Sequence, residues 1–225
     1  MNTFTSGLLN EQAFALTVNG RNLLSVLMLP DHPEEFARGY LACEGIVADA
    51  EIESVMIDGA TISVLTKNPS KVLLPTRAVI SGCGGTASYL DPQRLPVISG
   101  GITLPADSLL PVRFPQDILA AGGFGAAACL EDGTTFTAAD LSQPVAVDKA
   151  CGLLLRAGKI PASAALIISG KITADTVRRT LNAGFSILAA YQPPTALAVE
   201  LARSGNLTLT EISQKKIHTH PERIT

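Results

Sequence analysis

Residues 164–190, AALIISGKITADTVRRTLNAGFSILAA, decide the fold of this chain. Two short apolar runs, 164–169 and 185–190, lie on either side of a segment whose apolar residues recur at helical spacing. A second helix is predicted over 195–203, and a third strand-like run follows at 207–212. Short apolar strands joined by amphipathic helices are typical of β-α-β units. This half of the chain is therefore predicted to be α/β, with a parallel sheet.

The ends of these predicted strands are the first place to look for a binding site. Ligands of open α/β sheets lie beyond the carboxyl ends of the strands, which here carry Ser169-Gly170-Lys171 and Gln192-Pro193-Pro194-Thr195. A hydroxyl, a glycine and an ammonium at a helix start suit an anion. Ordinary turn and capping chemistry explains the same residues. The spacing of a Walker loop is absent.

Composition narrows the class of protein. The chain has 225 residues, of which 47% are hydrophobic and 16% charged, with a formal net charge of −3. This predicts a globular protein without broad attraction to nucleic acid or to an anionic membrane. No apolar run reaches the roughly 18 residues of a membrane helix, and the first residues do not read as a signal peptide. We therefore expect a cytoplasmic protein, whose four scattered cysteines are free thiols.

The N-terminal half is predicted to be rich in β-hairpins. Asn19-Gly20 and Asp58-Gly59 are turn dipeptides between apolar runs. Between the hairpins, Asp31-His32-Pro33-Glu34 predicts a helix start capped by Asp31, and the helix should end near Gly45. Residues 88–114 are rich in proline and are expected to form an ordered connection or a flexible lid, and a plain linker explains this composition better than a lid does. We predict two parts, 1–110 (β-rich, with the helix and a cysteine loop) and 111–225 (α/β, cofactor-binding), packed as one compact unit.

A glycine-rich loop, Ser81-Gly82-Cys83-Gly84-Gly85-Thr86, presents one cysteine. Glycine lets the backbone bend freely and leaves the thiol approachable, so Cys83 is the candidate nucleophile. A buried cysteine in a tight turn explains the loop as well. Near the C-terminus, His218 and His220 alternate and could share one face of a strand. Without a third metal ligand, we favour solvated tail histidines.

The order of several motifs resembles the FdhD family, the accessory sulfurtransferases of formate dehydrogenase. The resemblance covers nearly the whole chain. Its motifs are Leu16-Thr17-Val18-Asn19-Gly20, Glu34-Glu35-Phe36-Ala37-x-Gly39-Tyr40-Leu41-x-x-Glu44-Gly45-Ile46, Gly82-Cys83-Gly84, Gly122-Gly123, Ala146-Val147-Asp148-Lys149, Ser169-Gly170-Lys171-Ile172, Pro194-Thr195-Ala196-Leu197-Ala198-Val199-Glu200-Leu201-Ala202 and Thr219-His220-Pro221-Glu222-Arg223-Ile224.

The resemblance implies a mixed α/β fold with a three-layer core similar to cytidine deaminases, and a homodimer. It also implies that Cys83 takes persulfide sulfur from a cysteine desulfurase. The sulfur passes to the molybdenum or tungsten bis-pterin guanine dinucleotide cofactor for the formate dehydrogenase apoenzyme, and a guanine nucleotide could mimic that cofactor. The cofactor-binding residues implied are Gly82, Gly84, Gly122, Gly123, Asp148, Lys149, Ser169, Gly170, Lys171, Pro194 and Thr195. Of these, Lys171 and Thr195 would hold phosphate or guanosine, and Asp148 and Lys149 would support the pocket.

Some family positions differ in this chain. Thr86 stands where the family's C-G-x-C-G loop has its second cysteine, and Gly122-Gly123-Phe124-Gly125 lacks the family's histidine. The function expected is sulfur transfer through a Cys83 persulfide. A non-catalytic chaperone that binds the cofactor is the alternative, and an unrelated cysteine hydrolase is a third hypothesis.

Overall fold

The computed structural model describes residues 3–5, 8–72, 77–79, 86–88, 95–109 and 112–225. Gly82, Cys83 and Gly84 lie outside them. The strands of the first part are β1 (Phe4–Thr5), β2 (Leu8–Leu9), β3 (Gln12–Val18), β4 (Arg21–Met28), β5 (Ile52–Asp58), β6 (Thr61–Thr66), β7 (Arg77–Val79) and β8 (Thr86–Ser88). Strands β3 to β6 form one sheet in the order β4-β3-β6-β5, in which β3 and β6 are parallel. Both predicted hairpins are confirmed, and Asn19 and Gly20 have the positive φ values that the first turn requires.

Helix α1 (Pro33–Cys43) packs on this sheet and begins differently from the prediction. The residue before the helix is His32, which has a φ of 54° and makes no side-chain cap hydrogen bond. Asp31 was expected to cap the helix, but its Oδ1 lies 2.6 Å from Nζ of Lys149. Leaving a buried ammonium without a carboxylate costs more free energy than leaving a helix start uncapped, because the exposed backbone N–H groups of the helix can bind water instead.

A six-stranded sheet forms the second part. Its strands are β9 (Phe124–Leu130), β10 (Thr135–Asp140), β11 (Ala164–Lys171), β12 (Ile187–Gln192), β13 (Thr208–Glu211) and β14 (Lys216–Thr219), in the order β10-β9-β11-β12-β13-β14. The predicted parallel pairing holds for β11, β12 and β13, whereas β9 and β14 are antiparallel to their neighbours. The mixed α/β fold is confirmed. The sequence allows a strand through His218 but favours a solvated tail, and the structure shows the strand β14.

Different elements cover the two faces of this sheet. Helices α3 (Gln143–Arg156), α4 (Ala174–Ala183) and α5 (Ala196–Ser204) contribute to the hydrophobic core on one face. On the other face, the described residues of the proline-rich segment bury Leu104, Leu109, Val112 and Phe114, and the short helix α2 (Gln116–Ala120) follows them. These residues therefore form an ordered connection.

Helices α1 and α3 cross with their backbones in contact. A Cβ atom on Gly39 would lie 1.7 Å from the carbonyl oxygen of Asp148, and one on Gly152 would lie 1.7 Å from that of Glu35. Only glycine fits at either position, because backbone cannot move aside as a flexible side chain can. This contact joins α1, which carries the N-terminal sheet, to α3, which packs on the C-terminal sheet.

The crossing predicts a strong effect of a single methyl group. Gly39→Ala should lower the free energy of unfolding by about 3 kcal/mol, because the two helices must separate to admit it. Gly100→Ala is the matched control, since a Cβ there meets nothing within 4 Å, and it should change stability by less than about 0.5 kcal/mol. Urea unfolding of both variants measures this. Equal midpoints for the two would contradict the described crossing.

Candidate functional site

Three helices begin at one edge of the six-stranded sheet, which we name the carboxyl edge because β10, β11, β12 and β13 end there. Ser142, Thr173 and Thr195 precede α3, α4 and α5, and each side chain accepts a hydrogen bond from a backbone N–H in the first turn, at 3.3–3.4 Å. For Thr195 the structure shows the capping that was the alternative explanation, and contact with phosphate or guanosine stays a prediction. A helix N-terminus carries a partial positive charge, so three of them side by side make this edge favourable for anions.

The predicted loop after β11 lies at this edge and has defined contacts. Ser169 Oγ accepts a hydrogen bond from the N–H of Gly125 at 2.8 Å. A Cβ on Gly170 would lie 1.9 Å from Oε1 of Gln143, whose Nε2 donates to the carbonyl of Lys171 at 2.9 Å. The side chain of Lys171 is exposed. The loop thus offers an ammonium on a rigid base, while the Ser169 hydroxyl holds the start of β9.

The other predicted edge residues are close to this loop. The N–H of Thr195 donates to the carbonyl of Ile172 at 3.1 Å, so the loop with Pro194 and Thr195 adjoins the loop after β11. Gly122, with a φ of 92°, and Gly123 turn the chain into β9, whose antiparallel direction brings its first residues to the same edge. A Cβ on Gly123 would lie 2.6 Å from Ile118, which gives this glycine a packing role.

Lys149 is fully buried at the β10 end of the carboxyl edge. Its Nζ donates to the carbonyl of Leu29 at 3.0 Å, to Asp31 and to Oδ2 of Asp140 at 2.7 Å. Asp140 also accepts from the N–H of Leu29 at 3.0 Å. All three protons of the ammonium are therefore used, and they join the end of β10 to the chain between β4 and α1. The role predicted for Lys149 in supporting a cofactor pocket stays a prediction, and the contacts described are all within the protein.

Asp148 belongs to a buried ionic cluster between α1, α3 and α4. Both of its oxygens accept from Nη1 of Arg179, at 2.8 and 3.0 Å. Nε of Arg179 donates to Asp175 at 2.9 Å, and its Nη2 lies 2.6 Å from Glu44. Arg178 makes further bonds to Glu44 and Asp175. Three carboxylates thus share two guanidinium groups, and the side chain of Asp148 faces the cluster.

The three cysteines of the described residues are buried. A hydrogen bond with Cys151, together with burial, raises the pKa of Cys43 well above its usual value. Burial also raises the pKa of the Cys129 thiol. A thiol reacts as the thiolate and must be reached by its partner. Cys43, Cys129 and Cys151 are therefore structural.

Comparison with known proteins identifies the family. A model of the FdhD/NarQ family matches residues 9–225. This chain belongs to the FdhD/NarQ family. The sulfur carrier protein FdhD of Bordetella parapertussis is 32% identical to it over 240 aligned residues, which cover 95% of this chain and 86% of the relative. The protein of the same name from Geobacillus kaustophilus is 27% identical, covering 95% and 88%.

A solved structure shows the same fold. It is a protein of Desulfotalea psychrophila described as a formate dehydrogenase accessory protein, with a TM-score of 0.74 and 22% sequence identity. The match covers 97% of this chain and 90% of that chain. The family resemblance read from the motifs is thus confirmed.

Sequence reasoning missed several polar residues of the FdhD/NarQ chain. The ring of His218 was expected to be solvated, but it is 14% exposed and its Nε2 lies 3.5 Å from Oε2 of Glu211. This prediction was wrong because β14 pairs with β13 and packs against α5. Lys215 and Lys216 lie exposed at the same turn and add positive charge to the carboxyl edge. Gln143 was also missed, although its place just after a strand end was a usable signal.

The ionic cluster predicts an unusual dependence of stability on pH. Burial raises the pKa of Asp148 to about 7. Repulsion from Glu44 and Asp175 also raises this pKa, whereas attraction to Arg179 lowers it. The folded protein then holds this proton up to about pH 7, whereas the unfolded chain releases it near pH 4. Unfolding therefore becomes more favourable as the pH rises through this window.

Asp148→Asn carries no such proton, so its free energy of unfolding relative to the unaltered protein should rise between pH 4 and pH 7 and stay level above pH 8. Urea unfolding across this range tests the prediction. Asp132→Asn is the control: hydrogen bonds from Thr134 lower the pKa of this exposed carboxyl, so its effect is confined to acidic pH. A difference between D148N and the unaltered protein that does not vary with pH would contradict the proton assignment.

Proposed function

We propose that this protein is a sulfur carrier for formate dehydrogenase maturation. Cys83 accepts sulfur from a cysteine desulfurase and passes it to a molybdenum or tungsten bis-pterin guanine dinucleotide cofactor, the substrate, for insertion into the formate dehydrogenase apoenzyme. Family membership and the curated name of the Bordetella parapertussis relative support this role. We further propose that the protein is cytoplasmic and acts as a homodimer. Within the described ranges, no helix has the length and apolar character needed to cross a bilayer.

The observation that carries the proposal is the convergence of three helix N-termini at the carboxyl edge. A dinucleotide cofactor carries pyrophosphate groups, and phosphates bind at helix N-termini because backbone N–H groups and the helix dipole face them. The exposed Lys171 stands at this edge, and Lys215 and Lys216 follow β13, two strands away. Neighbouring strands are about 4.8 Å apart, so the chain positions of these charges are about 10 Å apart along the edge, with the loop after β12 between them.

Cys83 is proposed as the carrier because the other cysteines are unsuited to the task. The thiols of Cys43, Cys129 and Cys151 are buried, and the pKa of Cys43 and of Cys129 is raised. Sulfur exchange needs an accessible thiolate. In the sequence, a glycine stands on each side of Cys83, and a side chain flanked by glycines meets little steric hindrance.

The first transfer is a thiol exchange. The Cys83 thiolate attacks the terminal sulfur of the desulfurase persulfide, the bond between the two donor sulfurs breaks, and the desulfurase cysteine leaves as a thiolate. Cys83 then holds the persulfide, with no net oxidation. Release of that sulfur as sulfide needs two electrons, which a second thiol supplies by forming a disulfide with Cys83. Because Thr86 occupies the place of a second loop cysteine, the second thiol comes from a small thiol compound or from another protein.

Mass spectrometry tests the carrier directly. After incubation with a cysteine desulfurase and cysteine, the intact protein should gain the mass of one sulfur atom, and a thiol reductant should remove it. Cys83→Ala should gain none, whereas Cys129→Ala, which removes a buried thiol, should be loaded like the unaltered protein. An adduct that persists in C83A would rule out Cys83 as the carrier. If C83A also supports formate dehydrogenase maturation, the chaperone alternative is correct.

Binding of a guanine nucleotide tests the carboxyl edge. Lys171→Ala should weaken binding of guanosine diphosphate about tenfold, since a hydrogen bond to a charged group contributes about 1.5 kcal/mol. Lys159→Ala is the matched control, because Lys159 is exposed at the opposite end of the sheet, before β11. Isothermal titration calorimetry measures both affinities. Equal affinity in K171A and K159A would place the phosphate site elsewhere.

A further inference from the structure

Two buried thiols meet where helices α1 and α3 cross. Cys43 is the last residue of α1, and Cys151 lies on α3. A hydrogen bond joins the two thiols, and the residues are 1% and 0% exposed. The proposed sulfur transfer uses neither of them. These two groups, here called the crossing thiols, therefore have a chemistry of their own to explain.

The glycines of the crossing bring the crossing thiols together. Gly39 precedes Cys43 by about one turn of α1, and Gly152 is next to Cys151 on α3. A Cβ on either glycine would overlap the backbone of the opposite helix, so the two helices approach without side chains between them. A disulfide needs β-carbons about 3.8 Å apart. Thiols that already hydrogen-bond between touching helices can reach that geometry by rotation of their side chains.

A carboxylate and a guanidinium stand beside the pair. The Cys43 thiol also hydrogen-bonds with Asp148, which lies about one turn before Cys151 on α3. The neighbouring Cys151 thiol, burial and the charge of Asp148 raise the pKa of Cys43, whereas the charge of Arg179 lowers it. The thiolate is therefore scarce and its reactions are slow. Its proton nevertheless has an acceptor in direct contact.

We infer that Cys43 and Cys151 are a modification site, at which a peroxide oxidises the two thiols to a disulfide between α1 and α3. One thiol gives its proton to Asp148, and its sulfur attacks hydrogen peroxide, which yields a sulfenic acid and, with that proton, one water. The second thiol attacks the sulfenic sulfur, and a second water leaves. The two cysteines lose two electrons and two protons in all, and the peroxide gains them.

This disulfide would lock the two parts of the chain together. It would close a loop of about 100 residues, and cross-linking a long loop removes much of the entropy of the unfolded chain. Helix α1 packs on the N-terminal sheet, and α3 packs on the C-terminal sheet. The locked protein is therefore more stable than the reduced one. The inference does not depend on the proposed sulfur transfer.

Peptide mapping tests the disulfide. The folded protein is treated with hydrogen peroxide, its remaining thiols are alkylated after unfolding in urea, and its tryptic peptides are analysed by mass spectrometry. Two peptides joined through Cys43 and Cys151 should appear, lighter than their sum by two hydrogen atoms. Cys151→Ser should leave Cys43 without this cross-link. Cys129→Ser is the matched control, because the buried Cys129 thiol donates to the carbonyl oxygen of Leu130 at 3.6 Å, and it should cross-link normally.

Thermal unfolding provides a second measurement. Oxidation should raise the midpoint of the unaltered protein by about 10 °C, because the disulfide closes a long loop. The same treatment should not raise the midpoint of C151S. Sulfur loading of Cys83 by a desulfurase should be unchanged in C151S, which separates this test from that of the carrier function.

Three results would contradict the inference. Alkylation of both Cys43 and Cys151 after peroxide treatment would show that the crossing thiols do not pair. A disulfide between either of them and Cys83 would assign the oxidation to another site. A cross-link between Cys43 and Cys151 without a rise in the unfolding midpoint would show that it does not lock the two parts of the chain.

Discussion

The guanidinium of Arg179 is the interaction on which the arrangement of the two sheets depends. Its three nitrogens meet carboxylates of Glu44 on the chain after α1, Asp148 on α3 and Asp175 on α4. A planar, permanently charged fork can serve several carboxylates at once, which a lysine ammonium does poorly. Removing one partner of such a buried group leaves another charge uncompensated. The cluster thus fixes the angle between helices at the point where Gly39 lets α1 and α3 touch.

This arrangement makes the two ends of the C-terminal sheet electrostatically different. The helices start at the carboxyl edge, so their positive ends, the predicted loops and the exposed lysines are all on one side. Asp148 and Lys149, although part of a family motif, hold that side in position from within: one orders α3 against α4, and the other ties β10 to the first half of the chain. Fixed dipoles need no rearrangement when an anion arrives, which favours anion binding at this edge.

The sequence was most informative where one period or one turn dominates. Hairpins at Asn19-Gly20 and Asp58-Gly59, the parallel strands and the Thr195 cap all follow from local rules. It failed where tertiary contacts override them. In the sequence, Arg178 and Arg179 look like the solvent face of a helix, yet both are buried. The local signal for their ion pairs was Asp175, which lies three and four residues before them. Asp31 likewise does not cap α1 as expected, and its carboxylate binds Lys149 instead, 118 residues along the chain. Contacts of that kind are invisible to any local pattern.

The contacts of Lys149 have a consequence for the order in which the chain can fold. A ribosome releases the N-terminal sheet and α1 first, but the carbonyl of Leu29 and the carboxylate of Asp31 acquire their buried partner only after residue 149 has emerged. Glu44 waits longer still, for Arg178 and Arg179. Until then the α1 surface around Gly39 lies uncovered. The nascent chain therefore passes through a stage at which it is vulnerable to aggregation, and this stage ends once Arg179 has emerged.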